Sequence, residues 1–152
     1  MQIEISDLVK EKIRKALRVA GSKEIGGVLM CEQIAPGHFR VVNLSIDSQT
    51  GGRAHFVRSV QAHAEALNAF FLETGHQYER FNYLGEWHSH PRFSVTPSAQ
   101  DIGSMIDLVE GERNIEFAVL LIVRLAWWRS IRCSCTLFFR GANPSPIEIV
   151  GR

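Results

Sequence analysis

His88 and His90 stand two residues apart in the run Trp87-His88-Ser89-His90-Pro91. In an extended chain alternate side chains share a face, so both imidazoles project to one side and can hold a single ion. Asp101 follows His90 after ten intervening residues and completes a set of two imidazoles and one carboxylate. Neutral nitrogen with hard oxygen suits zinc, and three protein ligands leave the fourth tetrahedral position open for water, as a catalytic site requires. On residue types alone, two histidines at a strand end are equally compatible with polar surface positions.

The elements that must position these residues can be read from periodicity. Strand Phe81 to Trp87 carries the first histidine to its C-terminal end. A loop then leads into a helix running to about Val109, with Thr96 as N-cap, Pro97 at its first position and Gly111 closing it. Asp101, one turn inside that helix, can swing its carboxylate back toward the histidines. On this reading Ser98 and Asp101, three apart, lie on one helix face. Upstream, Leu8, Val9, Ile13 and Leu17 recur at helical spacing, which predicts a helix from Ser6, the N-cap, to Ala20, with Gly21 ending it. Ile25 to Cys31 and His38 to Ile46, joined through Pro36-Gly37, read as an antiparallel strand pair. The polar segment 47–53 follows, then a helix from Val60 to Leu72 with Val60, Ala64, Leu67, Phe70 and Phe71 on its buried side. Ile115 to Arg124 has the near-continuous apolar pattern of a strand covered on both faces. Ile131 to Arg140 forms another strand, and residues 147–150 add an edge. No linker or repeat interrupts this order, so residues 1–152 form one α/β domain with a mixed sheet.

Composition excludes other classes. The 152 residues are 45% hydrophobic and 22% charged, ordinary for a globular domain. Seventeen Lys+Arg against sixteen Asp+Glu leave a charge of +1, so no field of one sign draws nucleic acid or an anionic membrane. The longest wholly apolar run, 117–123, falls far short of the ~20 residues that span a bilayer, and the first residues lack a signal pattern. A cytoplasmic location is the expectation. Cys31, Cys133 and Cys135 form no C-x-x-C pair and read as buried free thiols. Trp87 reads as a core aromatic and Ser89 as support between the two ligands. His38, His55, His63 and His76 share no ligand spacing. A nucleobase deaminase, which also uses zinc and a glutamate, needs H-x-E and P-C-x-x-C; this chain has H-x-H at the candidate ligands and no P-C-x-x-C.

The run H-x-H-x(10)-D, with Pro91 after the second histidine and Pro97-Ser98 before the aspartate, together with the upstream Glu24-Ile25-Gly26-Gly27-Val28-Leu29, resembles the JAB/MPN+ (JAMM) zinc metalloproteases. The resemblance runs from Glu24 through the strand ending at Phe139 and is to the small, stand-alone bacterial type. It implies a curved, mostly antiparallel mixed sheet flanked by helices, similar to cytidine deaminases. It implies that His88, His90 and Asp101 hold one zinc ion. Glu24 would be the general base and acid, taking a proton from the attacking water and delivering it to the leaving amine. Ser98 would donate a hydrogen bond to the oxyanion of the tetrahedral intermediate.

The activity so implied is an isopeptidase or peptidase that frees the C-terminus of a ubiquitin-like or similarly conjugated protein from a target lysine. Similar bacterial members accompany activating-like and conjugating-like enzymes in antiviral operons with cyclic-oligonucleotide signalling, so such enzymes are expected partners. Alternatives within the resemblance are a maturation peptidase for a sulfur-carrier protein and a non-catalytic scaffold. The two insertions of the large deubiquitinating members, one with a second zinc, are absent. Residues 48–53 are expected to form a small flap, and an extended substrate tail is expected to pair with a sheet edge beside the metal.

Overall fold

A computed structural model describes residues 1–47, 60–111, 115–127 and 130–151. The chain order is β1 (Gln2–Ile5), α1 (Asp7–Ala20), β2 (Gly26–Ala35), β3 (His38–Leu44), α2 (Val60–Glu73), β4 (Phe81–Ser89), α3 (Ala99–Glu110), β5 (Phe117–Ala126), β6 (Ser130–Phe139), β7 (Ser145–Pro146) and β8 (Glu148–Val150). The strands join one eight-stranded sheet in the order β7-β6-β5-β4-β2-β3-β1-β8. Neighbours β1–β3, β1–β8 and β4–β5 are parallel, and the other pairs are antiparallel.

Alternation along the central strands divides the core between two faces. On β5, Val119, Leu121 and Val123 face the cluster that also holds Val9, Ile13 and Leu17 of α1. Ala118, Leu120 and Ile122 face Met105, Leu108 and Val109 of α3. The double coverage expected of this strand is therefore found. Val28 and Met30 of β2 pack on Phe70 of α2. The sheet curls around α1 until β8 approaches β6, and Ile147 and Ile149 pack against the α1 cluster.

The N-cap of α1 is Ser6, as the sequence predicts; its Oγ accepts from Val9 N, and Gly21 closes the helix at φ 61°. Gly85, inside β4, holds φ 153°, and a Cβ there would lie 2.0 Å from Val119 O. This is backbone contact that only glycine permits.

The structure adds to the sequence reading and departs from it in particular elements. Strand β1 is new, as is the two-residue β7. The strand at 148–150 is an edge as expected, but its partner is β1 rather than any neighbour in sequence. On α2, Ala64 is exposed and His63 takes the buried position, its Nδ1 2.9 Å from Ser45 Oγ. Helix α3 begins at Ala99 with Ser98 as its N-cap, so neither Thr96 nor Pro97 plays the part expected of it. Residues 48–53, where a flap is expected, lie outside the described residues. Among the described residues, no helix is long and apolar enough to cross a membrane.

Candidate metal centre

Strand β4 lies between β2 and β5 and delivers the two histidines at its C-terminal end. His88 pairs with Gly26 on one side and Ile122 on the other, which puts it on the α3 face of the sheet. Past the end of β4, His90 N still donates to Val123 O (2.9 Å), so the second histidine is held to the sheet by its backbone. From the facing helix, Asp101 completes the group. His88 Nε2 lies 3.0 Å from His90 Nε2 and 3.5 Å from Asp101 Oδ1, and His90 Nε2 lies 3.7 Å from Asp101 Oδ2.

These spacings fit a metal. Ligand atoms at zinc's usual ~2.0–2.1 Å from a tetrahedral centre stand about 3.3 Å apart. The chemistry of the donors fits as well. His90 Nδ1 lies 2.7 Å from Ser94 O; a carbonyl only accepts, so Nδ1 carries the proton and Nε2 offers its lone pair to the group. Two imidazole Nε2 atoms and two carboxylate oxygens facing one point make a ligand set for one cation. His88, His90 and Asp101 are the group of such side chains that the described residues bring together.

Asp101 is fixed from its own helix. In a capping box, Ser98 Oγ accepts from Asp101 N (3.1 Å) and Ser98 N donates to Asp101 Oδ2 (2.7 Å). Burial pushes the Asp101 carboxyl up. Hydrogen bonding and charge from His88 and the contacts with Ser98 outweigh that and hold it well below the usual carboxylate range. It is an anion at neutral pH, as a ligand must be.

The other residues singled out in the sequence take distinct places. Ser98 stands at the helix N-terminus, not inside the helix, and is exposed; because its oxygen serves as acceptor to Asp101, its hydroxyl hydrogen is free to donate outward. Glu24 is half-buried just before β2 and is not one of the three converging groups. Ser89 N donates to Ile25 O (2.8 Å) and Ile25 N donates to Ser89 Oγ (3.0 Å). Continuing that register sets Glu24 in the row of His90. Ser89, fully buried, lies between the two histidines and clamps the segment that carries Glu24. Trp87 is a core residue, with Nε1 donating to Ser45 O (2.9 Å). Sequence reasoning missed Ser94, whose contribution is a backbone carbonyl and leaves no side-chain signal. The two histidines leave the centre of the sheet, two strands from β6, which β7 covers only at Thr136 and Leu137.

Comparison with families matches residues 7–134 to the prokaryotic homologues of the JAB domain. No curated protein matches. Among solved structures, protein DSY2949 from Desulfitobacterium hafniense is similar at 22% identity and a TM-score of 0.70, over 97% of this chain and 91% of that one. A protein from Salinibacter ruber matches at 17% identity and a TM-score of 0.55, over 98% and 91%. AF2198, a JAB1/MPN domain protein from Archaeoglobus fulgidus, matches at 17% identity and a TM-score of 0.50, over 98% of each chain. At these identities the structures speak for the fold alone. The profile match covers most of the sequence and contains Glu24, both histidines, Ser98 and Asp101. The chain belongs to the JAB/MPN family, among the prokaryotic homologues of the JAB domain.

Proposed function

We propose that the chain is a zinc-dependent peptidase that cleaves the isopeptide bond between the C-terminus of a ubiquitin-like or similarly conjugated protein and a lysine. The observation that carries this reading is the convergence of His88 Nε2, His90 Nε2 and the Asp101 carboxylate within 3.0–3.7 Å, with His90 fixed in the ligating tautomer by Ser94 O. Zinc held there would act as a Lewis acid toward the scissile carbonyl and lower the pKa of water to about 7. Glu24, entering beside His90, takes the proton from the attacking water and passes it to the leaving lysine amine. Ser98 donates its free hydroxyl hydrogen to the oxygen that becomes negative at the carbonyl. Asp101 and the two histidines keep their places through the capping box, the Ser94 carbonyl and the β4 ladder, so little reorganisation accompanies the reaction.

The setting we infer is deconjugation in bacterial antiviral defence, with activating-like and conjugating-like enzymes as partners. Trimming of a linear sulfur-carrier precursor uses the same residues and is the second reading. Proteins co-purified with Glu24→Ala from cells carrying the native gene neighbourhood, analysed by intact mass, separate the two. Branched conjugates joined through lysine support deconjugation. Linear precursors with uncut tails support maturation, and profiles identical to wild type point to a scaffold. Purified Glu24→Ala is expected to bind zinc at one per chain and lose at least about 100-fold in kcat, while His88→Ala loses both metal and activity. Metal analysis alongside turnover checks this, and a Glu24→Ala variant at wild-type rate overturns the mechanism.

A further inference from the structure

Beside the metal centre the sheet carries an arrangement that folding alone disfavours. The β4–β5 register pairs Ser89 with Val123, so its next step sets His90 beside Arg124. Across β5 and β6, Arg124 pairs directly with Arg132. Both arginines follow the alternation of Ile122 and Ser134, on the face that carries His88 and α3. One row of positions across four neighbouring segments therefore reads Glu24, His90, Arg124, Arg132. Like charges directly opposite on adjacent strands destabilise a sheet.

Neither arginine is neutralised among the described residues. Arg124 donates to a neutral carbonyl, Phe93 O (3.0 Å), and Arg132 is exposed with no carboxylate partner. Arg92, exposed in the same ligand loop, has none either. Of the acidic groups on this face, Glu24 stands in the same row on the far side of His90 and makes no ion pair with either arginine, Asp101 is held by the two histidines, and Glu86 pairs with Leu120, four residues back along β5 from Arg124. The loop is tied to these strands, since Ser134 Oγ donates to Val95 O beside the Arg124 bond to Phe93. The cations are therefore held at the site rather than left on a loose hairpin.

We propose that Arg124 and Arg132 form a carboxylate-binding subsite that selects substrates with an acidic side chain near the scissile bond. The proposal rests on the peptidase reading and names the feature of the substrate that the site selects. Guanidinium groups bind carboxylates through two parallel hydrogen bonds, and the pair supplies donors that the fold leaves unused. Strands lie about 4.8 Å apart, so the two positions fall about 5 and 10 Å to the side of His90; at about 3.3 Å per extended residue, the acidic side chain sits two or three residues from the cut. Exposed Trp127, at the tip of the same hairpin, adds an apolar surface beyond the pair.

The test uses the full chain with zinc and a panel of peptides in which a Gly-Gly C-terminus is joined to a lysine amine. Glu, Gln or Lys is placed one to four residues from the bond on either side. Wild type is expected to cleave the Glu peptides two or three residues from the bond about 10-fold faster in kcat/KM than their Gln counterparts, the worth of a charge-assisted pair. Arg132→Glu is expected to lose that preference and favour Lys at the same place. It is also expected to melt no lower than wild type, because the variant turns a repulsive cross-strand pair into an attractive one. A merely structural arginine would instead lower the melting temperature and leave the preference intact. Fluorescence anisotropy of the same peptides on Glu24→Ala measures binding without turnover. Cleavage without acid preference overturns the subsite and leaves the peptidase. Acid-selective, Arg132-dependent binding without cleavage by wild type supports the subsite and overturns the peptidase. Absence of both, or displacement of the acidic peptide by a single-stranded oligonucleotide at lower concentration, overturns the subsite.

Discussion

Ser98 serves two neighbours with one hydroxyl. Its oxygen accepts from Asp101 N and so orients a candidate metal ligand, while its hydrogen has no acceptor among the described residues. Ser98→Ala should therefore cost about 1 kcal/mol of stability through the lost cap and, separately, about 100-fold in kcat through the lost oxyanion donor, with zinc retained. Denaturant melts, metal content and turnover on one preparation check this; loss of zinc would show that the cap matters mainly for Asp101. At this scale the two histidines and Asp101 were legible, because ligand spacing is a local property and the aspartate falls in the first turn of a capped helix. The cap itself was misplaced by two residues. Thr96-Pro97 is a valid helix start, but Ser98 with Asp101 at the third position satisfies two backbone donors reciprocally, and that box prevails. Arg124 beside His90 and opposite Arg132 could not be read at all, since that adjacency depends on register between strands distant in sequence.

Strand β4 joins the two core faces and carries His88, with His90 just past its end, and its weak point is Gly85. A β-bulge falls where β2 passes from Leu29 to Met30, and opposite it Gly85 turns to φ 153° against the backbone of Val119. Gly85→Ala meets both a forbidden backbone region and a carbonyl, so a loss beyond about 4 kcal/mol is expected. Either an insoluble product or a greatly lowered denaturation midpoint fulfils this, and a variant within 1 kcal/mol of wild type refutes the strain. The long elements were legible to within a few residues, because each carries enough apolar positions to fix its period. Strand β1 was not: four residues hold two inward positions, Ile3 and Ile5, too few to distinguish alternation from chance. On α2 the expected stripe included Ala64, but the bond between His63 and Ser45 sets the rotation of that helix. Nothing in a hydrophobic pattern announces a histidine as the buried residue.

At the scale of the molecule, a metal held by His88, His90 and Asp101 would pin the end of β4 to the start of α3, the next element in the chain, and its binding would be linked to folding. With free zinc at 100 times its dissociation constant, linkage adds about 2.7 kcal/mol to the folded state, which for a domain of this size raises the melting temperature by about 5–10 °C. Calorimetry with zinc and then with a chelator checks this; His88→Ala should show no rise, and a wild type that also shows none would dissociate the three-residue group from any metal. The pairing of β1 has a further consequence, for the way the protein is made. The first strand lies between β3 and β8, and the α1 cluster is covered only when residues 148–150 arrive. A ribosome adding about 5–20 residues per second leaves that apolar helix face partly exposed for several seconds after α1 is made, until residues 148–150 emerge. The domain therefore cannot fold progressively from its beginning. Until β8 pairs with β1 that face lacks its cover, and a chain held at this stage is expected to engage chaperones that shield apolar segments.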